Sequence, residues 1–167
     1  MKKLVFIAFL ALGSLLACTK GAKETSEKSL PLNLVDRIEL VDLNGKAIPL
    51  ESFKGKTVFI NYWATWCRPC VAEMPSIDEA AKILADEDFV FLAASDEEIE
   101  KIGMFTTEYA YSFQFVHSKT SVFNLDIMAL PTTIIINKAG KIVYNEVGAM
   151  NWASSEALQI LRNVSEK

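Results

Sequence analysis

The chain has 167 residues, of which 51% are hydrophobic and 23% are charged, and its formal net charge is −4 at pH 7. This length and composition are typical of one globular domain with a short additional segment. The negative charge, and the lack of a Lys/Arg cluster beyond the first residues, exclude the basic footprint of a nucleic-acid-binding protein, so we expect no nucleic-acid partner.

The first residues resemble a bacterial export signal. Lys2 and Lys3 precede an apolar run over 4–12, which is too short to span a bilayer. The following Leu15-Leu16-Ala17-Cys18 resembles the lipobox of bacterial lipoproteins, in which the chain is cut before the cysteine and the cysteine is acylated. This resemblance predicts a signal peptide over 1–17 and a lipidated Cys18. The alternative is an ordinary secretory signal with an unmodified Cys18.

Residues 18–33 are mostly polar, with several lysines, glutamates and serines, as is typical of a solvated tether. We therefore expect a folded domain over 34–167, held at the membrane by its lipid in an extracytoplasmic part of the bacterial cell envelope, and we expect a monomer. A lipidated Cys18 cannot pair with another thiol. Cys67 and Cys70 would then be the two free cysteines in an oxidising compartment.

The first half of the folded region predicts a hairpin followed by a strand–helix–strand unit. Asn44-Gly45 lies between two short apolar runs and predicts an N-terminal β-hairpin at a sheet edge. The runs 57–62 and 89–94 are short and apolar, as in buried parallel strands. Between them, apolar residues recur every three or four positions, which predicts a helix over about 68–85.

The second half predicts two more helices and further strands. Ser95 and Glu98 have the spacing of a capping box, which predicts that a helix opens there. The remaining predicted elements are strands over 113–116, 132–136 and 141–144 and a helix over 154–164. This order predicts an α/β fold with a mixed central sheet and helices on both faces.

Cys67 and Cys70 lie where the first buried strand gives way to a helix. The unpaired N–H groups and the positive dipole end of a helix stabilise an anion, so we expect a lowered pKa for the Cys67 thiol, with Arg68 as a nearby cation. Cys70, one turn into the helix, is then the resolving thiol. Pro69 falls in the first turn, where its missing N–H matters little.

The stretch from Asn61 to Cys70, the following Glu73-Met74-Pro75, and Leu130-Pro131-Thr132-Thr133 match one family pattern in order. Over residues 34–164 the chain resembles the thioredoxin-like TlpA/ResA family of extracytoplasmic thiol–disulfide oxidoreductases. The resemblance implies a thioredoxin-like fold, protein thiols and disulfides as substrates, and chemistry that needs no metal or organic cofactor.

The resemblance also implies a substrate-binding surface around Cys67. Pro131 would follow a cis peptide bond in a loop facing Cys67, and Leu130 would offer its backbone to an extended substrate segment. The alternative is a trans proline at the start of an edge strand. The residues that we expect on this surface are Trp66, Arg68, Pro69, Leu130 and Pro131.

Glu73 is the candidate proton acceptor. Cytoplasmic thioredoxins carry a buried aspartate where this chain has Asn61, and Glu73, three residues after Cys70, is positioned to replace it. Partial burial would raise the pKa of Glu73 and suit it to proton transfer. The alternative is an acid that only complements the helix dipole.

The family resemblance implies a reductant that receives electrons from a membrane thiol donor and serves tasks such as cytochrome c maturation. Zinc binding would need two ligands besides the cysteines, and His117 is the only histidine, so we expect no metal site. Haem attachment would need a histidine where Val71 stands. The remaining alternative is a non-catalytic envelope lipoprotein that uses the domain as a binding module.

Overall fold

The computed structural model describes residues 33–166. The predicted signal peptide and the lipidation at Cys18 lie outside the described residues, as does nearly all of the tether. Within the described part, the strands are β1 Leu40–Val41, β2 Ala47–Ile48, β3 Thr57–Tyr62, β4 Phe89–Ser95, β5 Gln114–Ser118, β6 Thr132–Ile136 and β7 Ile142–Val147. The helices are α1 Leu34–Arg37, α2 Arg68–Ile83, α3 Ile99–Glu108 and α4 Ser155–Ser165, with 3₁₀ turns at Leu50–Phe53 and Phe123–Leu125.

The strands form one mixed sheet in the order β2-β1-β5-β4-β3-β6-β7. The pairs β3–β4 and β4–β5 are parallel, and the other pairs are antiparallel. The mixed sheet and the hairpin at its edge are as predicted. In the hairpin turn, Gly45 has a φ of 80°, and Asp42 Oδ1 accepts hydrogen bonds from the backbone of Asn44 and Lys46, both at 2.9 Å.

The central strands are buried on both faces, which explains their continuous apolar sequences. All six residues of β3 are buried. Successive side chains point to opposite faces of the sheet, so Phe59 packs in one core cluster and Ile60 in another. The sheet is therefore a layer between two hydrophobic cores. The cysteines lie beyond Tyr62, at the carboxyl end of β3.

Helices cover both faces of the sheet, but unequally. The strands β3, β4 and β5 succeed one another in one direction, so right-handed crossovers place α2 and α3 on the same face. Met74 of α2, Ile102 of α3 and Leu161 of α4 accordingly share one core cluster. The opposite face is covered by shorter elements, through Leu34 of α1 and Leu50 and Leu125 of the 3₁₀ turns.

The predicted capping box at Ser95 and Glu98 is wrong. Ser95 is the last residue of β4 and pairs with His117, because the sheet holds its backbone in extended conformation. Its hydroxyl accepts a hydrogen bond from the Glu97 backbone at 3.2 Å, and α3 begins only at Ile99, with Glu98 at its N-cap making no side-chain bond.

No helix within residues 33–166 combines the length and the apolar character needed to cross a membrane.

Candidate active site

The two cysteines lie at the amino end of α2, as predicted. Cys67 is the N-cap residue of the helix and has extended backbone angles, whereas Cys70 belongs to the first helical turn. Their sulfurs are joined in a disulfide, with a distance of 5.3 Å between the Cα atoms. Pro69 occupies the first turn, where no intrahelical partner is required for its missing N–H.

The exposure of the two cysteines differs in the predicted direction. Cys70 is fully buried, at 0% exposure, and Cys67 retains 4%. The residues beside Cys67, namely Trp66, Arg68 and Pro69, are all exposed. A partner that approaches from solvent therefore meets these three side chains and the edge of Cys67, whereas Cys70 is reached only through its neighbour.

The two tryptophans before the cysteines have different environments. Trp63 is fully buried and packs against Phe105 and Phe115, with ring centroids 4.7 Å and 5.4 Å away. Trp66, directly before Cys67, is 69% exposed. Tryptophan is enriched at protein interfaces, and Trp66 is the one of the two whose side chain is accessible to a partner.

The Leu130–Pro131 peptide bond is cis, as the family resemblance implied. The loop meets the same end of the sheet as the cysteines, because Thr132 pairs with Tyr62. The carbonyl oxygen of Pro131 accepts a hydrogen bond of 2.8 Å from the backbone N–H of Gly148. Among residues 33–166, neither the N–H nor the C=O of Leu130 has a hydrogen-bond partner, so both are free to pair with an extended peptide.

Glu73 is buried, at 5% exposure, and its carboxylate accepts three hydrogen bonds. Asn61 Nδ2 donates to Oε1 at 2.8 Å. The backbone N–H of Met150 and the indole Nε1 of Trp152 donate to Oε2 at 3.0 Å and 3.1 Å. Burial raises the pKa of Glu73, and the bonds from Met150, Asn61 and Trp152 offset that rise only in part. The predicted direction of the pKa shift is confirmed.

Asn61 connects Glu73 to the cis-proline segment. Its Nδ2 also donates to Thr133 Oγ1 at 3.1 Å, and its Oδ1 is buried without a hydrogen-bond partner. An amide carries both donors and an acceptor. Asn61 can therefore donate a hydrogen bond to ionised Glu73. With its amide group rotated, it can instead accept a hydrogen bond from protonated Glu73.

The partners of Glu73 between β7 and α4 were not predicted from sequence. Ser76, one turn further along α2, donates through Oγ to Met150 O at 3.3 Å and accepts from the Trp152 backbone at 3.1 Å. Across an open surface cavity of about 340 Å³, Pro69 of α2 faces this same segment, and Glu73 lines the cavity. The sequence signal that could have pointed to this segment is a tryptophan, Trp152, shortly before a predicted helix.

Within residues 33–166, no three His, Cys, Asp or Glu side chains are grouped so as to hold a metal ion.

Sequence comparison identifies one family and two relatives. Residues 24–161 match the family model described as Redoxin. The chain is 36% identical over 134 residues to the thiol-disulfide oxidoreductase ResA of Bacillus subtilis, covering 78% of this chain and 72% of that protein. It is 34% identical over 112 residues to ResA of Bacillus cereus, where the match covers 65% of each, slightly under two thirds of that relative's length.

Among solved structures, the exposed lipoprotein thioredoxin Etrx1 of Streptococcus pneumoniae is similar at 28% identity with a TM-score of 0.64. The match covers 77% of this chain and 98% of that one. The predicted thioredoxin-like fold is thereby confirmed.

Proposed function

The chain belongs to the redoxin family, and we propose that it is a thiol–disulfide oxidoreductase that acts on protein disulfides in the bacterial cell envelope. The observation that carries this proposal is the Cys67–Cys70 disulfide at the amino end of α2. Two cysteines at this spacing, with the first at a helix N-terminus, suit reversible exchange better than structural cross-linking. The ResA relatives carry the same activity in their names.

In the reducing direction the protein starts as a dithiol. The Cys67 thiolate attacks one sulfur of a substrate disulfide, forming a mixed disulfide and releasing the other substrate sulfur as a thiolate that takes up a proton. Cys70 then loses its proton and attacks Cys67 Sγ, which releases the second substrate thiolate. The substrate gains two electrons and two protons, and the protein ends as the Cys67–Cys70 disulfide.

The backbone supports the attacking sulfur. As the N-cap residue of α2, Cys67 lies at the positive end of a helix of 16 residues, where the unpaired N–H groups favour a thiolate. Exposed Arg68 adds a positive charge at the next position. Cys70 has no exposed surface, so its proton has to pass to a group inside the protein or to the bound substrate.

Glu73 is the proposed acceptor of the Cys70 proton. It follows Cys70 by three residues on the same helix, which places the two side chains on one helix face. A carboxyl whose pKa is raised by burial binds a proton more readily near neutral pH than an exposed one. Asn61 has a free acceptor atom for the protonated form, so the network can accommodate both states.

The substrate is proposed to bind as an extended segment over the loop before Pro131. The unpaired backbone N–H and C=O of Leu130 would form strand-like hydrogen bonds with it. The side chains of Trp66, Arg68 and Pro69 would contact residues beside the substrate cysteine. Backbone pairing of this kind gives affinity without demanding one sequence, as suits an enzyme with several protein substrates.

The direction, the electron source and the location are also proposals. By family resemblance the protein is a reductant, supplied by a membrane thiol donor and acting in processes such as cytochrome c maturation, and it works as a monomer. The lipobox-like segment ending at Cys18 supports a lipid-anchored extracytoplasmic protein, and one similar structure is that of an exposed lipoprotein. Metabolic labelling with a radioactive fatty acid tests the anchor, because Cys18→Ala should abolish the label.

Two variants test the activity in an insulin reduction assay with dithiothreitol. Cys67→Ser should abolish turnover, because the attacking thiolate is gone. Cys70→Ser should also stop turnover, but it should accumulate mixed disulfides with protein substrates, which non-reducing gels detect. Cys18→Ala is the matched control and should keep full activity. Full activity in Cys67→Ser would overturn the proposed nucleophile, and an inactive parent protein would favour a binding module.

A further inference from the structure

Glu97, in the connection between β4 and α3, binds the turn that carries the cysteine nucleophile. Its Oε2 accepts a hydrogen bond from the backbone N–H of Thr65 at 2.6 Å, and its Oε1 accepts one from Thr65 Oγ1 at 3.0 Å. Lys101, one turn into α3, donates to the same Oε1. The Glu97 side chain is only 11% exposed, so a carboxylate beneath the surface holds a residue two positions before Cys67.

The turn over residues 64–67 has few other contacts of this kind. One internal bond closes it, from the Cys67 N–H to Ala64 O at 3.0 Å. Within the described part of the chain, the bonds to Glu97 are the only hydrogen bonds that join this turn to a side chain elsewhere. Trp66 stands in solvent and cannot anchor the turn by packing. Ala64 and Cys67 pack into the core on either side, and the bonds from Thr65 to Glu97 are the polar contacts that hold the middle of the turn.

Glu97 is itself held from the sheet side. His117 Nδ1 on β5 lies 2.9 Å from the Glu97 carbonyl oxygen, and the neighbouring Asp96 accepts a hydrogen bond of 3.0 Å from the Val122 backbone. Burial alone would raise the pKa of Glu97, but the hydrogen bonds from Lys101 and Thr65 outweigh it and lower the pKa. The carboxylate is thus ionised and held in the β4–α3 connection between Thr65 and Lys101.

We propose that Glu97 is a positioning residue for the nucleophile, holding the turn through Thr65 so that Cys67 stays at the positive end of α2. This inference rests on the proposed role of Cys67 in thiol–disulfide exchange. Glu97 does not touch the reacting sulfur, and its effect passes through the Thr65 peptide group. A carboxylate suits the task because its two oxygens accept the N–H and the O–H of Thr65 together.

The test is the rate at which iodoacetamide alkylates Cys67 in the reduced full-length protein at pH 7, with the modified peptide identified by mass spectrometry. Glu97→Ala should slow the reaction about tenfold, the factor that corresponds to losing one hydrogen bond to a charged group. Glu97→Gln, which keeps one acceptor for Thr65, should slow it about threefold. Glu100→Ala, which removes an exposed acid from the following helix α3, should leave the rate unchanged.

A merely structural role would lower the melting temperature without changing the alkylation rate of the folded protein. Rates for Glu97→Ala and Glu97→Gln equal to that of Glu100→Ala would overturn the inference, and if Glu97→Ala does not fold, the rate of Glu97→Gln decides alone. A parent protein whose Cys67 reacts no faster than an ordinary thiol would refute the proposed function itself, which separates the two failures.

Tryptophan anisotropy decay gives a second readout. Trp63 and Trp152 are buried and Trp66 is exposed, so fast local motion reports on Trp66, and Trp66→Phe should remove that component. Glu97→Ala should increase its amplitude because the turn is released, and an unchanged amplitude would also count against the inference.

Discussion

The indole Nε1 of Trp152 donates a hydrogen bond of 3.1 Å to Oε2 of Glu73. This contact joins the segment before α4 to the helix that carries the cysteines. It is shielded from solvent, because Trp152 is only 1% exposed. Glu73 is therefore both a structural partner of this segment and the proposed proton acceptor. Because the two roles depend on different properties of the carboxyl group, substitutions can separate them.

Replacing Trp152 by Phe keeps an aromatic ring but removes the donor. We expect a loss of about 1–2 kcal/mol in the free energy of unfolding, and a further rise in the pKa of Glu73, because one bond that favours its ionised form is lost. Urea titration measures the first effect. Tyr144→Phe, which alters a ring packed against Trp152, is the control and should change stability by less than about 0.5 kcal/mol. Equal stabilities of the two variants would contradict the role given to the indole N–H.

Glu73→Gln should change how stability depends on pH. The pKa of Glu73 is raised in the folded state, so the folded protein binds more protons than the unfolded chain between the two pKa values. The stability that Glu73 contributes is therefore complete below the unfolded pKa of about 4.3 and is lost as the pH rises through the folded value. Relative to Glu73→Gln, the native protein should lose stability as the pH rises from about 4 towards neutrality.

The measurement for Glu73 is a series of urea titrations across that pH range. Glu79 lies on the same helix but is exposed, and the free energy of unfolding of Glu79→Gln should depend on pH in the same way as that of the native protein. A constant difference in the free energy of unfolding between native protein and Glu73→Gln at every pH would show that the carboxyl does not titrate abnormally.

In the same variant, insulin reduction should slow at the step in which Cys70 resolves the mixed disulfide.

Asn61→Asp would place a second carboxyl within about 3 Å of the first. Two carboxylates so close cannot both ionise, so one pKa must rise strongly. We expect the variant to be less stable than the native protein at pH 7 and to recover much of that loss as the pH falls and the pair takes up a shared proton. Thr133→Val, which removes the other neighbour of Asn61 without adding charge, should show no such recovery. A pH-independent deficit in Asn61→Asp would contradict the geometry.

The two tryptophans before Cys67 should separate stability from substrate binding. Trp63 is fully buried, and Trp63→Ala should cost about 3–5 kcal/mol of stability. Trp66→Ala should change stability by less than about 0.5 kcal/mol but should raise the KM for protein disulfides severalfold. Thermal melts and insulin reduction kinetics provide the comparison, and an unchanged KM in Trp66→Ala would remove Trp66 from the substrate surface.

Much of the fold was predictable from local sequence. The strand runs around Phe59 and Leu92 and the helix after Cys67 have strong periodicity, and the Asn44-Gly45 turn specifies its hairpin. Short elements were not predictable, since the four residues of α1 are too few to show a period. The placement of α2 and α3 on one face follows from the order of the strands, which chain order alone does not determine.

The candidate site was predictable where its residues are close in sequence or match the family pattern. The cysteines, the exposed Trp66 and the cis bond before Pro131 fall in this group. The partners of Glu73 and Thr65 were not predictable, because Trp152 and Glu97 reach them only through the folded chain. The spacing of Ser95 and Glu98 was misleading because sheet pairing determines the conformation of Ser95, whose hydroxyl accepts a hydrogen bond from the Glu97 backbone and none from the first turn of α3.

The equilibrium reduction potential of the Cys67–Cys70 pair tests the central claim most directly, by titration of the full-length protein against a thiol redox buffer at pH 7. We expect a reversible two-electron transition near the thioredoxin value of about −270 mV, as a reductant requires. A value near about −120 mV would contradict the reducing direction, and a pair that does not cycle reversibly would contradict the oxidoreductase function itself.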